Sequence, residues 1–185
     1  RVWRLFNVML ELSRLQSGTA SLSRSVFAPL PLLDLIHETY SAYAEDYQQT
    51  FVYDVPKDLP NVVGNPDRTQ QVLIALLDNA FKYTPEGGKI SVSVKEEPFE
   101  KENYIAYRII VEDNGIGMSK EYLPHIFEEF SREHTSTESK VTGTGLGLPI
   151  VKSLIDMMGG TIEVESQLGC GTKMTVVLPF ELASE

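Results

Sequence analysis

The chain is 185 residues long, with 42% hydrophobic residues and a formal net charge of −10. That length and apolar content suffice for one domain that buries a core without a metal or disulfide staple, and the single cysteine, Cys170, has no partner within the chain. The acidic balance excludes a nucleic-acid binder held by a broad electropositive face, and no apolar run approaches the ~18–20 residues of a membrane span.

Residues 1–16 space Val2, Leu5, Phe6, Met9 and Leu12 by three and four, which predicts an amphipathic helix with an unpartnered seam, ending at Gly18. The chain opens at Arg1 in the middle of this pattern, so the sequence reads as a piece of a longer protein. After a Ser-rich stretch, residues 32–49 predict a second helix with Leu32, Leu35, Ile36, Tyr40, Tyr43 and Tyr47 on its core face. A short alternating strand covers 51–55, and the prolines at 56 and 60 mark a loop.

A third helix is predicted from Asn65-Pro66-Asp67, where Asn65 supplies a cap and Pro66 sits in the first turn with no needed amide hydrogen. It runs to about Tyr83 and stops before Pro85 and Gly87-Gly88. Two alternating strands follow over 89–96 and 104–112, then a helix over 120–130, a polar segment over 131–144, a helix over 146–158 and two last strands over 161–165 and 173–180. Hairpin-length connections between strands predict a two-layer α/β sandwich, its mixed and mostly antiparallel sheet carrying helices on one face.

Nine of the thirteen glycines fall between positions 115 and 171, on loops at the ends of these elements. Asn79, Lys82 and Tyr83 share one side of the third helix, and Val72, Leu73, Leu76, Leu77 and Ala80 form its buried stripe. An asparagine carbonyl suits a hard cation and a lysine suits phosphate, although Asn and Lys on a helix also make an ordinary solvated face. Asp113-Asn114-Gly115-Ile116-Gly117-Met118 follows a strand directly. Its carboxylate can accept from an exocyclic amine and its glycines admit a flat ring, while the pattern alone is equally that of a turn.

Gly143-Thr144-Gly145-Leu146-Gly147-Leu148 leads into a helix and exposes amide hydrogens to an anion; it lacks the strand that a dinucleotide motif requires. Gly169-Cys170-Gly171-Thr172 lies between the last two strands and reads by itself as a hairpin turn.

In this order and spacing, the motifs over 32–180 resemble the ATP-binding catalytic domain of sensor histidine kinases, within the superfamily of gyrase, the ninety-kilodalton heat-shock chaperone and MutL. The asparagine box is Leu73 to Pro85, the first glycine box Asp113 to Gly117, the phenylalanine box Ile126-Phe127-Glu128-Glu129-Phe130, and the last glycine boxes are those above. The resemblance implies that Asn79 binds Mg2+ and that Lys82 and Tyr83 contact phosphate or ribose of ATP. It implies that Asp113 recognises the adenine amine with Thr172 supporting it through water, and that Gly115, Gly117 and Met118 line the base. Arg132 is implied to reach the terminal phosphate. Gly143, Thr144, Gly145, Leu146, Gly147 and Leu148 would wrap the phosphates, within a lid over 119–147.

One departure stands out: Ala75 occupies the position where the family carries a second Asn, or a catalytic Glu in the hydrolysing members, so self-contained ATP hydrolysis is not expected. His37-Glu38-Thr39 lacks the basic residue and proline of a phosphoacceptor box, and His125 and His134 are read as surface residues. The resemblance therefore implies an acceptor histidine on a dimerisation helix outside the sequence, so the chain alone would not autophosphorylate. Residues 1–18 would be the tail of the second dimerisation helix, 19–31 a linker, 32–180 the ATP-binding domain and 181–185 a tail. The implied partners are a second copy, joined through the dimerisation helices, and a response-regulator receiver domain. The expected setting is the cytoplasm, with any membrane anchor in upstream segments. The alternative is a degenerate nucleotide-binding regulatory module without kinase activity.

Overall fold

The structure is a computed structural model that describes residues 23–128 and 147–184. Its elements are β1 (Ser25–Phe27), α1 (Pro29–Asp46), β2 (Thr50–Asp54), β3 (Val62–Gly64), α2 (Pro66–Lys82), β4 (Lys89–Pro98), β5 (Tyr104–Asp113), α3 (Gly147–Met157), β6 (Thr161–Gln167) and β7 (Gly171–Leu182). The strands form one sheet in the order β1-β3-β7-β5-β4-β2, with β6 also paired to β7. Every pairing is antiparallel except β2 with β4.

Strand alternation sorts the two faces. Ile90, Val92 and Val94 of β4, Tyr107, Ile109 and Val111 of β5 and Met174, Val176, Leu178 and Phe180 of β7 are buried beneath the helices. The intervening residues, such as Ser93, Arg108 and Lys173, face outward, where Arg108 pairs with Glu97 across β4 and β5. The two-layer sandwich expected from the sequence is the architecture of the described residues.

α2 follows its sequence signals closely. The Asn65 side chain accepts from the Arg68 amide at 2.9 Å, and Val72, Leu73, Leu76, Leu77 and Ala80 are buried. At its far end the Gln49 side-chain amide donates to the carbonyls of Phe81 (3.2 Å) and Thr84 (2.7 Å), satisfying acceptors that a helix terminus leaves open.

Other elements depart from expectation. α1 begins at Pro29, three residues early, because Pro29 and Pro31 fall in a first turn whose amides need no intrahelical acceptor. Its buried stripe is Pro29, Leu33, Ile36, Tyr40 and Ala44. Leu35, Tyr43 and Tyr47, expected in the core, are 51%, 39% and 56% exposed. Both stripes share Ile36 and Tyr40, and small Ala44 lets the helix lie closer to the sheet than a tyrosine face would. Tyr43 and Tyr47 stack on each other at 4.4 Å instead, and Tyr43 meets Phe81 edge-on.

The helix expected over 120–130 is absent from its described part, where Leu123–His125 makes a single 3-10 turn. Pro124 has no amide to continue an α-helical ladder there. Two short strands were missed: β1, which with the first turn of α1 puts residues 25–31 of the expected 19–31 linker inside the domain, and β3, between Pro60 and Asn65; the two pair with each other. The segment over 1–18 lies outside the described residues. None of the described helices is long and apolar enough to cross a membrane.

Candidate functional site

The end of β5, the hairpin joining β6 to β7 and the C-terminus of α2 converge on Asp113. In the sheet register Asp113 lies opposite Thr172 of β7 on one side and Ile90 of β4 on the other, and both Asp113 and Thr172 are buried. The Asp113 carboxylate accepts from the Gly115 amide at 2.9 Å, a turn that leaves it further acceptor capacity. Burial pushes this carboxyl above its ordinary value, while hydrogen bonds from the Gly115 and Thr172 amides act to hold it down.

The loop after Asp113 is fastened on three sides. Asn114 exchanges bonds with Lys89, its side-chain oxygen accepting from the Lys89 amide at 2.7 Å. The Ile116 amide donates to the Tyr83 carbonyl at 3.0 Å, and the Gly169 amide donates to the Ile116 carbonyl at 2.8 Å. Gly117 and Gly171 adopt φ of +68° and +109°, and a Cβ on either would stand about 2 Å from a carbonyl oxygen, of Gln167 and Asp113 respectively. The Gly169-Cys170-Gly171-Thr172 segment is thus a hairpin turn that also forms a wall of the site.

Ser166, which the sequence reading passed over, sets the polarity of this wall. Its hydroxyl donates to the Gly171 carbonyl at 3.0 Å, so its lone pairs accept from the Met118 amide (2.8 Å) and from the Thr172 hydroxyl (2.9 Å). The Thr172 proton is thereby used, and Thr172 Oγ1 has only acceptor capacity left to offer. Two buried acceptors, Asp113 and Thr172, therefore sit side by side. One sequence signal existed: Ser166 is polar at a position where Ile162 and Val164 set an apolar period of two.

The phosphate-side candidates are only partly described. Tyr83 closes α2, its amide donating to the Asn79 carbonyl at 3.2 Å, so Asn79, Lys82 and Tyr83 occupy the final turn beside the Asp113 loop. Asn79 is half-buried and Lys82 exposed, while Ala75 packs against the core one turn earlier. Gly147 and Leu148 open α3, which packs against α2, and no atom lies within 4 Å of the place a Gly147 Cβ would take. Arg132, Gly143, Thr144, Gly145 and Leu146 lie outside the described residues. Among the described residues no three His, Cys, Asp or Glu side chains gather to hold a metal.

Comparison with known proteins gives this geometry a family. Residues 64–182 match the model of the histidine kinase-, DNA gyrase B- and HSP90-like ATPases. Over 184 residues the chain is 36% identical to hybrid signal transduction histidine kinase A of Dictyostelium discoideum, covering 96% of this chain and 8% of that protein. It is 32% identical to sensor histidine kinase WalK of Bacillus subtilis (strain 168), covering 100% of this chain and 30% of the relative, so it spans less than a third of either. Full-length ShkA solved with AMPPNP superposes with a TM-score of 0.79 at 27% identity, over 100% of this chain and 37% of that one. On these matches and on its fold, the chain belongs to the histidine kinase-, DNA gyrase B- and HSP90-like ATPase family, as the catalytic domain of a sensor histidine kinase.

Proposed function

We propose that this domain binds ATP with Mg2+ and transfers the terminal phosphoryl group to a histidine on a dimerisation helix of the full-length homodimer, from which it passes to an aspartate of a response-regulator receiver domain. The observation that carries the reading is the pair of buried acceptors, Asp113 and Thr172, with Ser166 holding the Thr172 hydroxyl proton away. An exocyclic amine satisfies both acceptors; a carbonyl oxygen in the same place satisfies neither.

In this reading Gly115, Gly117 and Met118 lie along the base. Tyr83 and Lys82 face ribose and phosphate, and Gly147 and Leu148, with Gly143 to Leu146, surround the phosphates. Asn79 is the one oxygen ligand assigned to Mg2+, which fits a cation that keeps waters and relies on substrate phosphates rather than a carboxylate cage. When bound, it neutralises charge on the phosphate oxygens. Lys82 and Arg132 add positive charge at the transferring group. There the bond from the terminal phosphorus to its bridging oxygen breaks, a phosphorus–nitrogen bond forms on the acceptor imidazole, and ADP leaves. Residues 1–18 serve as the end of a dimerisation helix, joined to the domain by the residues that precede β1, on the cytoplasmic side. The domain carries no general base at Ala75, so ATP without an acceptor turns over poorly.

The same Ala75 favours a second reading, a nucleotide-binding regulatory module with no transfer. Full-length protein incubated with ATP labelled on its terminal phosphate distinguishes the two. The kinase reading predicts protein-bound label that is lost in acid and kept in base, as a phosphohistidine is. Tight ATP binding with no label on the protein would select the regulatory reading.

A further inference from the structure

The end of β5 opposite Asp113 borders a half-open cavity of about 360 Å³, between the C-terminus of α3 and the loop that joins β4 to β5. Ten residues of extended strand separate the two places, roughly 30 Å at about 3.4 Å per residue, so both can be occupied at once. The volume falls within the range of small-molecule sites.

The floor is apolar and adaptable: Phe180 and Pro179 of β7, with Met157 and Met158 at the end of α3. The rim is cationic. Lys101 donates to the Tyr104 hydroxyl at 3.3 Å and stands 4.3 Å from the centre of its ring. Lys101 and then Arg24 hold the Tyr104 phenol below its ordinary value, so two cations converge on one hydroxyl. Glu181 is the one acid among the described lining residues and is engaged by Arg24 at 2.9 Å, which leaves a surplus positive charge in a chain whose net charge is −10.

These groups are held by backbone. Leu182 donates to the Asn103 carbonyl at 2.8 Å, the Asn103 side chain returns a bond to the Leu182 carbonyl, and the Tyr104 amide closes the loop onto Lys101. A rim fixed in this way loses little freedom when a ligand arrives.

We propose that this cavity is a second ligand site, for a small amphiphilic anion whose carboxylate or sulfonate lies between Arg24 and Lys101 and whose apolar body rests on Met157, Met158 and Phe180. The probe is 1-anilinonaphthalene-8-sulfonate, titrated by fluorescence into the 185-residue chain, with N-phenyl-1-naphthylamine as the same body without the charge. The expected result is saturable one-to-one binding of the sulfonate, at least about tenfold tighter than the neutral probe, and undiminished by saturating ATP analogue. Joint Arg24→Glu and Lys101→Glu substitution, on exposed side chains, removes that preference. Met158→Trp fills the floor and weakens both probes. Equal affinity for the two probes, unchanged binding in the charge-reversed chain, or displacement of the sulfonate by nucleotide would each overturn the assignment.

Discussion

Asp113 faces two opposed demands. Its burial raises the folded-state carboxyl above its ordinary value, so the folded chain holds a proton there more tightly than the unfolded chain does. Stability from this group is fully present below pH ~4 and is lost as pH rises through the raised value. Ionised Asp113 therefore destabilises the fold at neutral pH, and in the proposed reading that charge accepts the amine of the base. Asp113→Asn keeps an oxygen for the Gly115 amide and removes the charge. It is expected to raise the melting temperature at pH 7, with the gain vanishing toward pH 4, while weakening ATP at least about 100-fold by calorimetry; a variant both less stable and still binding would contradict this.

Ser166 makes a parallel test. Ser166→Ala strands the Met118 amide and Gly171 carbonyl and releases the Thr172 hydroxyl, so unfolding in urea should show a loss of about 1–3 kcal/mol and ATP affinity should fall about tenfold. Asp113 was legible in the sequence because its motif is contiguous. Ser166 showed only as a polar break in an apolar period, since its partner Met118 lies 48 residues away in the chain and only the folded loop brings them together.

Among the elements, α2 was the most readable because cap, stripe and stop agree: Asn65, the Val72 to Ala80 stripe, and the turn at Pro85. α1 was misphased because tyrosine serves equally as core or as surface, and only packing reveals that Ala44 rather than Tyr43 faces the sheet. The described part of 120–130 failed as a helix at Pro124, whose effect outweighs the apolar spacing around it. Strands of three residues, such as β1 and β3, hold too few positions to display an alternation.

The junction of α1, α2 and β2 rests on Gln49, a residue with no motif around it. Its amide bonds the carbonyls of Phe81 and Thr84, which fixes the turn carrying Lys82 and Tyr83. Gln49→Ala should lower stability by about 1–3 kcal/mol in urea unfolding and raise the KM for ATP in the full-length kinase more than it lowers kcat. An unchanged KM with the stability loss intact would mean that the clamp is structural only.

At the scale of the whole molecule, a net charge of −10 and a polyphosphate ligand are compatible because recognition is local. In the proposed reading backbone amides, Lys82 and a divalent cation act at one end of the sheet, while the acidic surface is screened beyond about 10 Å at ordinary salt. The charge excluded a broad polyanion surface and left a small polyanion site open. Nucleotide binding should also stabilise the fold, by about 2.7 kcal/mol at a hundredfold excess over Kd. That corresponds to roughly 5–10 °C in melting temperature for a chain of this size. No shift with ATP and Mg2+ would contradict the site as drawn.

In the proposed reading Asp113 and Thr172 select an exocyclic amine over a carbonyl oxygen. Calorimetric titration of the chain with ATP and with inosine triphosphate, which differs in placing a carbonyl oxygen where the amine stands, tests it most directly. Inosine triphosphate should bind at least about 100-fold more weakly, because its oxygen faces two acceptors. Equal affinity for the two nucleotides would contradict it.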